Sequence, residues 1–277
     1  MCLAILVIDV MTDWPLIVVA NRDEYHDRAA SPLQPWHQHP DVLAGQDLQA
    51  GGTWLGITNS GRFSLLTNYR DPRQRRPQAP SRGRLVEDFL KADLPAAAYL
   101  QTIEPTAKTY NGFNLIVADG ANLHYSGNQA KPFKQSLTAG VYGLSNALLD
   151  TPWPKTQRTR EAVAALLAQR FAPDAEQLTA LMRDRTVVPD DSLPDTGMGL
   201  VRERLLATPF IVSPDYGTRC TTVVMRHRNG NQWAQEATYN ALGEMTNWVG
   251  WLSVQGRPWR CFDRWPGIAN IASSAIA

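Results

Sequence analysis

The chain has 277 residues, 44% hydrophobic and 19% charged, with a formal net charge of +1. That length allows one large domain with a substantial buried core, and the near-neutral charge excludes an electrostatic nucleic-acid binder, which needs a basic surplus. Three cysteines without a C-x-x-C pairing, an apolar start interrupted by Asp9 and Asp13, and no uncharged run of bilayer length point to a reducing, cytoplasmic setting without an integral membrane segment.

In chain order, CLAILVID (2–9) and PLIVVAN (15–21) are apolar, β-branched runs joined by MTDW, which predicts a hairpin. Both runs are apolar on both faces, as in a sheet covered on each side. PLQPWHQHP (32–40) reads as a Pro-rich loop. TWLGITN (53–59) and RFSLLTN (62–68) form a second hairpin around Ser60-Gly61. The basic stretch RDPRQRRPQAPSRGR (70–84) reads as a solvated, mobile connector; a phosphate-bearing ligand on Arg73, Arg75 or Arg76 is the sharper alternative. Helices follow over 83–103, broken at Pro95. A third hairpin, FNLIVAD with NLHYSG, turns at Gly120-Ala121, and VYGLSN (141–146) is another strand.

Apolar spacing of three and four predicts helices over 155–171 and 174–185, then a Pro/Gly/Asp loop over 189–199. Strands resume at TTVVMRH (221–227) and QWAQEAT (232–238). The expected organisation is one domain over 1–250 and a C-terminal tail over 251–277 without periodicity. Hairpins alternating with helix pairs favour α+β over a doubly wound fold, and a four-layer αββα sandwich of antiparallel sheets accounts for strands apolar on both faces.

Cys2 follows the initiator methionine. Trimming of Met1 would leave a thiol and a free α-amino group on one residue, titrating near ~8.5 and ~8, a nucleophile beside its own base. The hairpin brings the end of its second strand, N-R-D-E at 21–24, beside Cys2. Asp23 could then hold the α-ammonium and Arg22 favour thiolate, although an ordinary polar turn has the same composition. Asn68 and Asn146 end strands, where amides either supply oxyanion donors or simply cap turns. Arg219 enters a late strand, as a partner for those carboxylates or as a plain surface residue. The five histidines make no metal set: His37 and His39 have no carboxylate or cysteine at ligand spacing. Nucleotide-binding and α/β-hydrolase signatures are absent. No cofactor is required, while non-covalent haem, which needs no linear motif, remains an alternative ligand.

The stretches MC, ANRDEYHDRAASPLQPW, GGTWLGI, LLTNYRDP, NGFNLIV, GLSNALLDTPWPK and YGTRCTTVV resemble, in order, the NRDE family of transport-and-Golgi-organisation proteins. The resemblance implies an N-terminal-nucleophile hydrolase-like αββα sandwich, and a function in haem mobilisation or in acyl-CoA and lipid metabolism. It also marks Glu24, Trp54, Tyr69 and Arg70 as ligand-binding neighbours. A more distant similarity to choloylglycine hydrolases and penicillin V acylases implies catalytic roles for Cys2, Asn21, Arg22, Asp23, Asn68, Asn146 and Arg219. One departure stands out: the arginine of their R-N-x-D-W segment is Ala20 here. Arg22 would be its substitute, with a side chain expected to point to the other sheet face. Two functions therefore stand side by side. One is a small-molecule carrier for haem or an acyl-CoA. The other is a cysteine hydrolase of amide or thioester acyl groups. A buried structural Cys2 is the third, plainest reading. The Ala20 departure tips the expectation toward ligand handling. The oligomeric state is not legible in any of these features.

Overall fold

The computed structural model describes residues 2–120, 122–169 and 174–262. The chain opens with strands β1 (Cys2–Met11) and β2 (Trp14–Tyr25), then β3 (Ala30–Trp36), β4 (His39–Asp47), β5 (Leu55–Thr58) and β6 (Arg62–Asn68). Helices α1 (Gly83–Lys91) and α2 (Ala96–Ile103) precede β7 (Phe113–Asp119), β8 (Asn122–Gly127), β9 (Lys134–Leu137) and β10 (Gly140–Leu144). Then come α3 (Pro154–Ala168), α4 (Ala175–Leu181), α5 (Leu200–Leu206), β11 (Tyr216–Arg226), β12 (Gln232–Tyr239), β13 (Met245–Ser253) and β14 (Arg260–Phe262).

The strands form two antiparallel seven-stranded sheets. The first has the order β10-β1-β2-β11-β12-β13-β14, and the second runs in chain order from β3 to β9. Alternation along β1 and β2 explains why both of their faces are apolar. Ala4, Leu6, Ile8, Leu16, Val18 and Ala20 pack between the sheets against Leu55, Phe63 and Ile116. Leu3, Ile5, Val7, Ile17 and Val19 pack outward, against Val163 and Leu167 of α3 and Leu178 of α4. On the far side Val86, Phe89 and Leu90 of α1 and Leu100 of α2 cover Val42, Leu115 and Val117 of the second sheet. The layers are thus helix, sheet, sheet, helix, the expected αββα sandwich. Each fully buried leucine or phenylalanine contributes roughly 1.5–3 kcal/mol.

Four expectations change. The segment 32–40 is not a loop but most of β3, its turn and the start of β4, a hairpin at the edge of the second sheet. Prolines 32 and 35 are tolerated there because an edge strand leaves one row of N–H groups unpaired. The first sheet also continues beyond the boundary expected at residue 250: β13 runs to Ser253 and pairs with β14. Only 263–277 of the expected tail, together with Ala121 of the β7–β8 turn and residues 170–171 of the third predicted helix, lie outside the described residues. The stretch after β6 is no mobile connector. Arg70 is buried, Arg76 donates to the carbonyls of Lys108 and Tyr110 (both 2.6 Å), and Arg82 donates to Gly112 O (2.9 Å). Finally, α5 follows directly on the loop predicted over 189–199, in a segment where no helix was expected.

No helix among the described residues is long and apolar enough to cross a membrane.

Candidate functional site

Three strands of the first sheet bring Cys2, Arg22 and Cys220 into one row: Cys2 lies opposite Arg22, and Arg22 opposite Cys220. Residues directly opposite share a face, so Arg22 sits on the Cys2 side. The expectation that it points away is corrected. With a two-residue period it shares the face of Ala20. Its guanidinium is stacked 4.2 Å over the Trp54 ring and lies 3.8 Å from the Asp47 carboxylate, both from the second-sheet half. Gly45 makes room for that indole, since a Cβ there would fall 2.5 Å from the Trp54 ring. Cys2 is half-buried. Burial pushes its thiol up, Asp23 and Glu24 push the same way, and Arg22 pulls it back.

Asn21 and Asp23 point to the opposite, helix-covered face. Asn21 Nδ2 donates to Met182 O and Pro209 O (both 2.9 Å), and its Oδ1 accepts from Thr221 Oγ1 (2.6 Å). Asp23 is 1% exposed, and its Oδ1 accepts from Thr218 Oγ1 at 2.7 Å. Burial raises the Asp23 carboxyl, against the pull of Lys155, Thr218 and Arg70. Arg219 is the extra residue of a bulge between Thr218 and Cys220. Re-aimed by that bulge, its Nη1 donates to Tyr25 O, His26 O and Arg28 O (2.8, 3.0 and 3.3 Å), tying down the loop after β2. Glu24 pairs with Arg28 at 3.6 Å.

The segment leaving β10 crosses to the second sheet and brings the two predicted amides together. Asn146 Nδ2 donates to the backbone carbonyl of Asn68 (3.0 Å), and Arg70 donates to Asn146 through its backbone N–H (2.8 Å) and through Nη2 to Oδ1 (3.3 Å). Ser145 Oγ donates to Cys2 O at 3.1 Å, linking this crossing to β1. Tyr69, half-buried, is held by its N–H on Gly112 O. Arg70 forms a buried ion pair with Glu203 (2.8 Å) and lies 4.8 Å over the Trp153 ring.

Sequence reasoning missed Lys155 and Glu203. Lys155, 2% exposed, has its amine pushed down to about 8 by burial and by Arg70, against the pull of Asp23, Cys2 and Glu203. Its one signal was a lysine inside the quoted GLSNALLDTPWPK stretch. Glu203 gave none, lying in a segment read without structure. Arg73, Arg75 and Arg76 line a separate surface groove with Lys108, Tyr110 and Phe133. Among the described residues no three His, Cys, Asp or Glu side chains are grouped to hold a metal ion.

The family model for "Transport and Golgi organisation 2" matches residues 1–241. The chain belongs to the Transport and Golgi organisation 2 family. The homologue from Bos taurus is 40% identical over 231 residues, spanning 78% of this chain and 83% of that protein. The Homo sapiens homologue is 38% identical over 233 residues, with the same coverage. The Drosophila melanogaster protein is 26% identical over 260 residues, spanning 85% of this chain and 90% of its own. Among solved structures, a Caenorhabditis elegans N-acylethanolamine-hydrolyzing acid amidase ortholog matches with a TM-score of 0.36 and 12% identity, covering 80% of this chain and 92% of that one. A mutant conjugated bile acid hydrolase from Clostridium perfringens matches at 0.38 and 10%, covering 95% and 97%. For this member of the Transport and Golgi organisation 2 family, the N-R-D-E stretch is the end of β2, split between two faces of the sheet.

Proposed function

We propose that this chain binds an anionic, lipid-type ligand, an acyl-CoA or haem, at the Cys2 end of the sandwich, and so acts in haem or acyl-CoA handling. The reading is carried by one observation: the carboxamide of Asn146, one of the two expected oxyanion donors, already donates to the backbone carbonyl of the other, Asn68. An oxyanion hole needs donors aimed at the developing charge, each worth ~3 kcal/mol. The Asn146 N–H committed to that carbonyl supplies this only by breaking the bond. The raised Cys2 thiol supports the same direction, because the thiolate is the nucleophile. Arg22, Arg70 and Lys155, all buried around this end, suit a negatively charged head group.

The alternative is a cysteine hydrolase cleaving an amide or thioester through Cys2, and it is favoured by Cys2 and Asp23 lying on adjacent strands. Titration with haemin, followed in the Soret band, and with palmitoyl-CoA, followed by binding and by release of free CoA thiol, separates the two. The expected result is saturable binding of at least one ligand, with no CoA release above that of the Cys2→Ala variant. Release that disappears in Cys2→Ala would establish the hydrolase instead. Absence of binding to both ligands would overturn the proposal.

A further inference from the structure

Lysine is almost never fully buried without a partner. Yet Lys155 is 2% exposed, and its Nζ has no hydrogen-bond partner among the described residues. It is the second residue of α3, whose first turn has no side-chain cap. The charged and titratable groups facing it come from four parts of the chain: Cys2 in β1, Asp23 in β2, Arg70 beyond β6 and Glu203 in α5. Each neighbouring carboxylate already takes another donor. Glu203 accepts from Arg70 and from the N–H and hydroxyl of Thr196, while Asp23 Oδ1 accepts from Thr218. An ammonium removed from water without an acceptor costs several kcal/mol. Packing does not require that cost, because methionine fills a similar volume without a charge.

We propose that Lys155 Nζ is the anion receptor at the Cys2 end of the sandwich, the group that takes a carboxylate oxygen of the bound ligand. This rests on reading that end of the sandwich as a ligand site, and on neither of the two ligands in particular.

Two small alkylating reagents of similar shape test it on the full chain. Iodoacetate carries a carboxylate and iodoacetamide a neutral amide. Site-resolved mass spectrometry gives their rate ratio at Cys2, with the exposed Cys261 as internal reference. At pH 7 the carboxylate-to-amide ratio at Cys2 is expected to exceed that at Cys261 by about tenfold, the scale of one charge-assisted hydrogen bond. It should fall toward the Cys261 value as pH rises past about 8, where Lys155 loses its proton. It should collapse in Lys155→Met and survive in Lys155→Arg. Alkylation of the buried Cys220 reports any loss of fold in a variant, and the wild-type pH profile then decides alone. Equal ratios at Cys2 and Cys261 from pH 6 to 9, or a preference unchanged by Lys155→Met in a folded variant, would overturn the proposal. Neither haemin nor palmitoyl-CoA enters this measurement, so the receptor and the proposed function fail separately.

Discussion

Four consecutive residues at the end of β2 face two different ways and are held by different forces. Asn21 and Asp23 face the helices. Asn21 bridges two backbone carbonyls and a threonine hydroxyl, and Asp23 takes a second threonine hydroxyl. Arg22 and Glu24 face the other way. Arg22 is held by a stacked indole and a 3.8 Å ion pair, Glu24 by an arginine it shares with Asp47. Short hydrogen bonds to backbone fix geometry tightly, whereas stacking and longer ion pairs leave a cation free to redirect its field. The helix-facing pair therefore frames the Cys2 end of the sandwich, and the sheet-facing arginine acts on the thiol.

The sharpest break of that comparison is Arg70→Met. It would leave Glu203 buried without its cation, and unfolding in urea should show a loss of roughly 3–5 kcal/mol. A loss below 1 kcal/mol would mean that the cluster on the helix side is not part of the frame. Next is the pH dependence of Lys155. Its amine falls from the ordinary lysine value of 10.5 to about 8 in the folded chain. The folded state binds fewer protons between those two values, so this group's contribution to stability is present above pH 10.5 and lost as pH falls through about 8. Lys155→Met should accordingly gain on wild type by up to roughly 3 kcal/mol between pH 10.5 and pH 7. Denaturation at both pH values measures the difference, and identical pH dependence would show that the amine is not depressed.

Asn21→Ala removes three buried hydrogen bonds and should cost about 2 kcal/mol, with the Cys2 alkylation rate unchanged once the protein is folded. A changed rate in a fully folded variant would make Asn21 part of the chemistry rather than the frame. The smallest effect is that of Arg22→Gln. Losing the cation should raise the Cys2 thiol further and slow alkylation by iodoacetamide at pH 7 by about threefold, with little change in stability. An unaltered rate would remove the contrast between the two faces.

The layered architecture was legible because β1 and β2 carry apolar residues at both odd and even positions, which only covers on both sides can satisfy. The β3–β4 hairpin was not, because Pro32 and Pro35 read as loop residues unless the strand is known to be an edge. In the site, the pairing of Cys2 with the N-R-D-E stretch followed from a short hairpin alone. The face of Arg22 was also available from the two-residue period, and the sequence reading misassigned it. Arg219 illustrates another limit: its direction depends on a bulge, and nothing in Y-G-T-R-C announces one. Lys155 was hidden for a different reason. A lysine in the first turn of an amphipathic helix looks solvated, and only α5 and the Arg70 segment, distant in sequence, close over it.

The crossing after β10 has a consequence for how such a protein is born. The hydroxyl that holds the Cys2 carbonyl belongs to Ser145, made 143 positions later. The strand that pairs with β2 ends only at Arg226. Until β11 has been synthesised the opening hairpin lacks its neighbour on the β2 side, and until α3 and α4 follow β10 its outer greasy surface lacks its cover. Closure of such distant partners is intrinsically slow. The nascent chain is therefore exposed to aggregation along that hairpin until these late partners arrive.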